Sequence, residues 1–175
     1  MKNIKKIADE IFQAPTKQEL VERITKDFVK NPDGTYSTKE NVDAALLVKN
    51  GKLIIKFKYV SGDFKCFKCG LTSLEGAPET VGKRFNCDLN NLTSLEGGPR
   101  LVGDDFLCSH NKLVSLEGSP KVVQGDFVCY YNNRLSSLKG APEVVRGDFY
   151  CYNAARQFTE EEVRAVCKVR GKIHV

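Results

Sequence analysis

The cysteines are the residues whose type and spacing most suggest chemistry. Cys66 and Cys69 form a Cys-x-x-Cys pair, a spacing that serves in zinc sites and in redox centres. The chain holds seven cysteines but only two histidines, His110 and His174, and no second closely spaced cysteine pair. A zinc site needs about four ligands of these types. We therefore expect no metal site, no redox centre and no cofactor.

Recurring aspartates raise the question of an acidic catalytic site. They are Asp63, Asp105, Asp126 and Asp148, each after a glycine or another aspartate. Arg84 occupies the corresponding position in one copy of the phrase, and Gly-Asp pairs are common in turns. The chain also lacks a glycine-rich phosphate loop between a strand and a helix. We expect the aspartates to be structural, no catalytic residues, and a protein that is not an enzyme.

A repeat of about 21 residues positions these side chains. Each unit carries a valine, then Gly-Asp-Phe or a close variant, then a cysteine two residues after the phenylalanine. The columns are Val60, Val81, Val102, Val123, Val145; Phe64, Phe85, Phe106, Phe127, Phe149; and Cys66, Cys87, Cys108, Cys129, Cys151. Such a period predicts a solenoid, because a single short unit cannot bury its own apolar face.

The spacing inside the unit resembles a known repeat. Phe64-x-Cys66-x-x-Cys69-x-Leu71-x-x-Leu74 follows the leucine-rich-repeat pattern, and its asparagine slot holds Cys69, Asn90, Asn111, Asn132 and Ala154. The resemblance covers Val60 to about Gln157 and is closest to the short repeats of bacteriophage and prophage proteins. It implies an α/β solenoid: a short leucine-rich-repeat stack with a parallel β-sheet on the concave face and helical caps.

The flanking segments predict these caps. Residues 1–59 hold two helix signals: the helical spacing of Ile4, Ile7, Ala8 and Ile11, and a capping box at Thr16 and Glu19 that starts a helix running through Phe28 to the turn at 31–34. In residues 42–59, Asn50-Gly51 favours a hairpin, and a degenerate first repeat also fits. The solenoid proper is expected over 60–157.

Residues 158–175 predict a capping helix and a tail. Thr159 and Glu162 form a second capping box, with Phe158 and Val163 spaced as a hydrophobic staple. The alternation of basic residues from Lys168 to Lys172 suggests an edge strand in the tail. We expect this helix to lie over the last repeat.

The charge is unevenly distributed. The net charge is +5, but residues 1–60 carry 12 basic against 8 acidic residues, whereas residues 61–157 carry 11 of each. Binding of nucleic acid requires basic side chains that neutralise its phosphates, so a solenoid with no net charge is predicted to bind nucleic acid weakly at most. One basic patch is expected near the first repeat, and its members are Lys49, Lys52, Lys56, Lys58, Lys65 and Lys68.

The cysteine column and the N-terminal sequence bear on localisation. Cysteine behaves as a small hydrophobe, and one cysteine column facing inward predicts free, buried thiols. No apolar run has the length of a signal peptide or of a membrane span. We expect a protein of a bacterial cytoplasm with no membrane contact.

The outward slots carry the strongest functional signal. In a strand written Phe-x-Cys the intervening and following residues face outward, and four of the six tyrosines fall in these slots of the last two units. The predicted partner-binding residues are Leu107, His110, Val128, Tyr130, Tyr131, Tyr150 and Tyr152. Clustered exposed tyrosines are typical of protein interfaces. The alternative is that the C-terminal helix or tail folds over them.

These observations predict a non-catalytic module that binds another protein on its concave face. The resemblance to phage repeats implies an inhibitor that occupies a host defence factor, such as a CRISPR effector or a nuclease. The alternative is a nucleic-acid-associated protein that uses the Lys49 to Lys68 patch and the aromatic face, since bases stack on aromatic side chains near positive charge.

Overall fold

The chain winds as a β-solenoid of about seven turns, seen in a computed structural model that describes residues 16–175. Each turn places one short strand in each of two parallel sheets. The solenoid expected from the repeat is therefore confirmed, with helices only near its ends. Its repeats are entirely β, because the valine column forms a second strand on the side opposite the Phe-x-Cys strand. The helix expected around Ile4 to Ile11 lies outside the described residues.

The valine sheet contains eight strands. In sheet order these are β1 Val29–Lys30, β2 Tyr36–Thr38, β6 Phe57–Val60, β8 Thr80–Val81, β10 Leu101–Val102, β12 Val122–Val123, β14 Val144–Val145 and β16 Lys168–Val169. Only the β1 and β2 pair is antiparallel. Each column valine is in register with the next, as Val81 is with Val102.

The phenylalanine sheet contains seven strands. They are β3 Val42–Asp43, β7 Phe64–Lys65, β9 Phe85–Asn86, β11 Phe106–Leu107, β13 Phe127–Val128, β15 Phe149–Tyr150 and β17 Ile173–His174. All of its pairs are parallel and in register. Equivalent side chains of successive turns therefore lie directly beside one another.

The core is a set of stacked columns between the two sheets. The valine, phenylalanine and cysteine columns are buried, together with the leucines of the connecting segments. From Phe64 to Phe149 successive rings stack with centroids 5.1–5.5 Å apart. Parallel rings at this separation gain both apolar burial and offset-stacking energy. The expected inward orientation of the cysteine column is thus confirmed, and all seven cysteines are free thiols in the structure.

An asparagine ladder holds the turns in register. Asn111 is buried, and its side-chain Nδ2 donates to the carbonyl oxygens of Cys87, Cys108 and Ser109 at 3.0, 3.2 and 3.1 Å. Its Oδ1 accepts the backbone N–H of Leu92 at 3.0 Å. Asn90 and Asn132 make the same kind of contacts in their turns. One amide thereby satisfies buried backbone groups of two successive turns.

A second set of side chains, which we call the aspartate row, links the turns on the outer side of the phenylalanine sheet. Its members are Asn41, Asp63, Asp105, Asp126 and Asp148. In each, Oδ1 accepts a backbone N–H of the following turn, at 2.7–3.2 Å. The recurring aspartates therefore have a structural role, as expected.

The N-terminal helix is shorter than predicted. Helix α1, Lys17–Thr25, starts with the expected capping box, in which Thr16 and Glu19 bond reciprocally. The prediction that it continues through Phe28 to the turn at 31–34 is wrong. The backbone of Val29–Lys30 pairs with β2, so the helix must end before it. Phe28 is still packed against the core, where its ring meets that of Phe57 at 6.1 Å.

Residues 42–59 contain both of the structures that the sequence left open. Val42 pairs with Phe64 as part of a solenoid turn. A short 3₁₀ helix, Ala45–Leu47, then leads into an antiparallel hairpin of β4 Val48–Lys49 and β5 Lys52–Leu53, which inserts into that turn. Asn50 and Gly51 form its tip with positive φ angles, as this two-residue turn requires.

The C-terminal segment caps the solenoid and then continues it. Helix α2, Glu160–Val166, has the expected capping box of Thr159 and Glu162, and both staple residues are buried. The tail forms two strands rather than one edge strand: β16 joins the valine sheet and β17 joins the phenylalanine sheet. Ile173 consequently takes the place of a column phenylalanine beside Phe149.

We predict that Asn111→Ala lowers the free energy of unfolding by about 3 kcal/mol, because several buried backbone groups lose their partner at once. Chemical denaturation followed by circular dichroism measures the change. Asn91→Ala, at an exposed neighbouring position, is the matched control and should change stability by less than about 0.5 kcal/mol. Equal effects of the two variants would contradict a structural ladder.

Candidate functional site

Strand pairing places most of the predicted partner-binding residues on the outer side of the phenylalanine sheet. Leu107, Val128, Tyr150 and His174 are successive register partners, next to their inward-facing neighbours. The second outward column adds Tyr130 and Tyr152, and a third adds His110 and Tyr131. The tyrosine face is this set of eight residues: Leu107, His110, Val128, Tyr130, Tyr131, Tyr150, Tyr152 and His174.

The rings of the tyrosine face pack on one another. His110 stacks on Tyr131 with centroids 4.7 Å apart, and Tyr130 stacks on Tyr152 at 4.8 Å. Edge-to-face contacts at 5.7 and 6.2 Å join Tyr131 to Tyr130 and to Tyr152. Each ring therefore has a fixed neighbour, and the cluster loses little side-chain entropy when a partner binds.

The C-terminal tail extends this face and leaves its outer tyrosines uncovered. The imidazole of His174 stacks on Tyr150 at 4.4 Å, and the Tyr150 hydroxyl donates to Asp148 Oδ2 at 3.2 Å. Tyr131 and Tyr152 remain 45% and 37% exposed. The alternative that the tail folds over the tyrosines therefore holds only for Tyr150, one face of which is covered by His174.

The stacking decides which part of each tyrosine can meet a ligand. Parallel rings with centroids less than 5 Å apart overlap face to face, since rings lying side by side in one plane would be farther apart. Each ring of these pairs consequently has one face covered by its neighbour. A ligand can contact what the pairs leave exposed, including ring edges and hydroxyl groups.

The third outward column has an unusual backbone. Lys68, Leu89, His110, Tyr131 and Asn153 all have φ between 53° and 56°, in the left-handed region. Asparagine tolerates this conformation, whereas a leucine, histidine or tyrosine in it lowers the stability of the folded protein by about 1 kcal/mol or more. The chain thus keeps large side chains on this face at positions where the backbone favours asparagine or glycine.

Asp88 and Ser109 form a polar spot beside the rings. Asp88 Oδ1 accepts the backbone N–H of Ser109 at 2.6 Å. Burial raises the pKa of Asp88 from 3.8 to about 6, although this hydrogen bond and the nearby His110 both lower it. The Ser109 hydroxyl is buried and has no hydrogen-bond partner within residues 16–175. A polar pair of this kind is a candidate recognition element.

The predicted basic patch does not form one surface. Lys49 and Lys52 face each other on the hairpin, while Lys58 belongs to the valine sheet and Lys65 to the phenylalanine sheet. Two of its members are ion-paired: Lys56 with Glu75 and Lys58 with Asp33, both at 3.5 Å. Lys65 and Lys68 lie on either side of Phe67, which is 48% exposed, at the opposite end of the sheet from the tyrosines.

Cys66 and Cys69 are placed as parts of the repeat. The Cys66 thiol is buried and donates to the carbonyl oxygen of Asn86 at 3.3 Å. Burial raises the pKa of both thiols, so neither is inclined to form the thiolate that metal binding and redox chemistry require. Within residues 16–175 no group of three or more His, Cys, Asp or Glu side chains is placed to hold a metal ion.

The sequence reasoning missed His174 and the outward side of the valine sheet. Val169-Arg170-Gly171 repeats Val145-Arg146-Gly147, a signal that would have extended the solenoid to the tail and placed His174 beside Tyr150. On the valine sheet Tyr59 and Leu101 are both 40% exposed, in the slot just before each inward valine. The repeat pattern does not by itself predict a strand at the valine column, so it assigns no role to this slot.

Comparison of the chain with protein-family models, with curated proteins and with solved structures finds no match in any of the three. Among the described residues, no helix has the length and apolar character needed to cross a membrane. The candidate site is therefore defined by the geometry of the tyrosine face.

We predict that Leu89→Asn raises the free energy of unfolding by about 0.5–1 kcal/mol, because asparagine tolerates the left-handed backbone that strains leucine. Asn153 already occupies the equivalent position of a later turn. Val114→Asn is the control, since Val114 is similarly exposed but lacks a positive φ. Thermal and chemical denaturation would contradict the prediction if Leu89→Asn were no more stable than the parent.

Asp88 predicts a pH dependence whose sign follows from its raised pKa. The Asp88 carboxyl group stays protonated up to about pH 6 in the folded protein but only up to about pH 3.8 in the unfolded chain. Its contribution to the free energy of unfolding therefore falls as the pH rises between these two values. Asp88→Asn should therefore raise the melting temperature by roughly 3 °C at pH 7.5, with little change at about pH 3.5, below both pKa values. Asp104→Asn, at an exposed position, is the control. A gain of the same size at both pH values would contradict the prediction.

Proposed function

We propose that the protein is a non-catalytic binding module whose tyrosine face contacts another protein. The observation that carries this proposal is the mutual packing of rings on an outer sheet surface where the repeat itself requires no aromatic residue. Tyrosine is favoured in interfaces because it combines a large rigid area with a hydroxyl group. The left-handed backbone at His110 and Tyr131 supports the same conclusion, since these side chains are kept at a cost in stability.

The regular sheet beneath the tyrosines suits a binding role. Tyr150 and His174 belong to strands, and the other rings closely follow strands whose inward side chains are stacked and buried, so the face is organised before the partner arrives. Binding then requires little ordering of loops or side chains, and more of the contact energy remains as affinity. This kind of surface favours another folded protein or an extended protein segment as the ligand.

A bacterial cytoplasm is the proposed setting, supported by the buried free thiols. The resemblance to short phage repeats makes a host defence factor, such as a CRISPR effector or a nuclease, the first class of partner to test. In that case the protein would act by steric occupation of the partner.

A second candidate function is the binding of single-stranded nucleic acid at the other end of the sheet. Its support is Phe67, exposed between Lys65 and Lys68 beside a cleft of ≈ 460 Å³. An aromatic ring flanked by cations is typical of single-strand binding. The dispersal of the other four lysines limits the number of phosphates that this small site can neutralise.

We predict that Tyr131→Ala and Tyr152→Ala each weaken binding of the partner by about 2 kcal/mol while leaving thermal stability nearly unchanged, because both side chains are exposed. Parent and variant proteins serve as baits in bacterial lysates, and captured proteins are identified by mass spectrometry. The affinity of each purified candidate is then measured by calorimetry.

The matched controls are Tyr59→Ala and Leu101→Ala, which remove similarly exposed side chains from the valine sheet. A partner that binds these two controls normally and both tyrosine variants weakly supports the proposal. A partner lost from the valine-sheet variants instead would place the interface on the other side. Nucleic acid retained by the tyrosine variants and lost on Phe67→Ala would favour the second candidate.

A further inference from the structure

The tyrosine face is acidic although the protein as a whole is basic. Around it, the outward positions of strands β9 to β17 and of the residues beside them carry four aspartates, namely Asp88, Asp105, Asp126 and Asp148, and two basic residues, Arg84 and Lys172. The net charge of the chain is +5. This face therefore repels phosphate groups and attracts cations.

Arg84 shows how the aspartate row holds a guanidinium group. Its Nε and Nη2 donate to Asp105 Oδ2 at 3.1 and 2.8 Å. The other oxygen of Asp105, Oδ1, accepts the backbone N–H of Asp126 at 2.9 Å. The two oxygens of one carboxylate thus have separate tasks: Oδ1 links the turns and Oδ2 binds the cation.

The next position of the row has the same geometry without the arginine. Asp126 Oδ1 accepts the backbone N–H of Asp148 at 2.7 Å. No donor within residues 16–175 forms a hydrogen bond with Asp126 Oδ2. At Asp148, Oδ2 already accepts the Tyr150 hydroxyl. Asp126 therefore offers an open acceptor, and its strand carries Val128, a residue of the tyrosine face.

We propose that the tyrosine face takes an arginine side chain from a protein partner, with its guanidinium on Asp126 Oδ2 as that of Arg84 lies on Asp105. This inference rests on the binding role proposed above and specifies the partner's chemistry. Arginine fits better than lysine because its planar group donates several hydrogen bonds at once, here to the carboxylate and to the hydroxyl of Tyr150, the tyrosine that lies beside the aspartate row.

The polar spot beside the rings is a separate feature of the same face, since Ser109 lies four residues beyond the row member Asp105. The Ser109 hydroxyl is buried and has no partner within residues 16–175. Neighbouring Asp88 is another carboxylate of the face, and it adds to the negative charge that an arginine would meet.

The test uses a soluble Gly-Ser peptide with arginine at every third position, and the same peptide with neutral citrulline in place of arginine. Binding to the full chain is followed by shifts of backbone amide signals in NMR, at low and at physiological ionic strength. We expect the arginine peptide to shift the amides of β11, β13 and β15, including that of Asp148, which donates to Asp126. The citrulline peptide should bind roughly tenfold more weakly.

The decisive variant is Asp126→Asn. Asn41 shows that an asparagine Oδ1 can make the same link between turns, here to the Asp63 N–H at 2.8 Å, so the fold is preserved while the charge is removed. The arginine peptide should bind this variant roughly tenfold more weakly. Glu79→Gln, at an exposed position beside the valine sheet, removes the same charge and should have no effect.

The outcomes separate this inference from the proposed function. The arginine site is overturned if the chain binds the arginine and citrulline peptides equally, or if the parent and Asp126→Asn bind the arginine peptide equally. In that case the proposed function still stands if a captured partner depends on Tyr131 and Tyr152. If binding of the arginine peptide requires Asp126 but no captured partner depends on the tyrosines, the arginine site is supported and the proposed function is contradicted. Binding of single-stranded oligonucleotides to the tyrosine face would contradict both.

Discussion

Register between successive turns is the constraint on which the rest of this structure depends. Strands of two residues make too few backbone bonds to align a sheet unaided, so side chains must complete the alignment. The asparagine ladder does so from inside, where each amide bonds buried backbone groups of two turns. The aspartate row does so from outside, through Oδ1 of each member. Between these two ladders the phenylalanine rings stack at nearly constant spacing.

Because the inward columns satisfy the fold, the outward slots are free to vary from turn to turn. The slot that holds Lys65 in one turn holds Leu107 in another and Tyr150 in a third, although all three backbones are equivalent. Function in such a solenoid is therefore to be sought in outward residues that depart from what the strand needs. The tyrosine face departs in its clustered rings, two of which, those of His110 and Tyr131, stand on the left-handed backbone that this column shares in every repeat.

Much of the fold was predictable from the sequence because its determinants recur. Five copies of Phe-x-Cys establish the inward columns, and both capping boxes act through residues three apart. The end of helix α1 was not predictable in this way: Phe28 has helical spacing, but tertiary pairing of Val29–Lys30 with β2 overrides it. Alternation predicts the outward positions of Tyr130 and Tyr152, whereas Tyr131 joins them because its left-handed backbone interrupts the alternation. The division of the basic patch did not, since adjacent lysines in sequence lie on different sheets.

The aspartate row explains how a structural repeat can also bear a recognition site. A carboxylate has two acceptor oxygens, and the link between turns uses only Oδ1. Asparagine at position 41 meets the structural need equally well, so a carboxylate is not required for the link between turns. The charge at Asp126 consequently adds nothing that the fold needs, while it makes one face of a basic protein attractive to cations. Arg84 uses the corresponding oxygen at Asp105, whereas Asp126 Oδ2 has no donor among residues 16–175 and is the atom on which we propose that a partner's arginine binds.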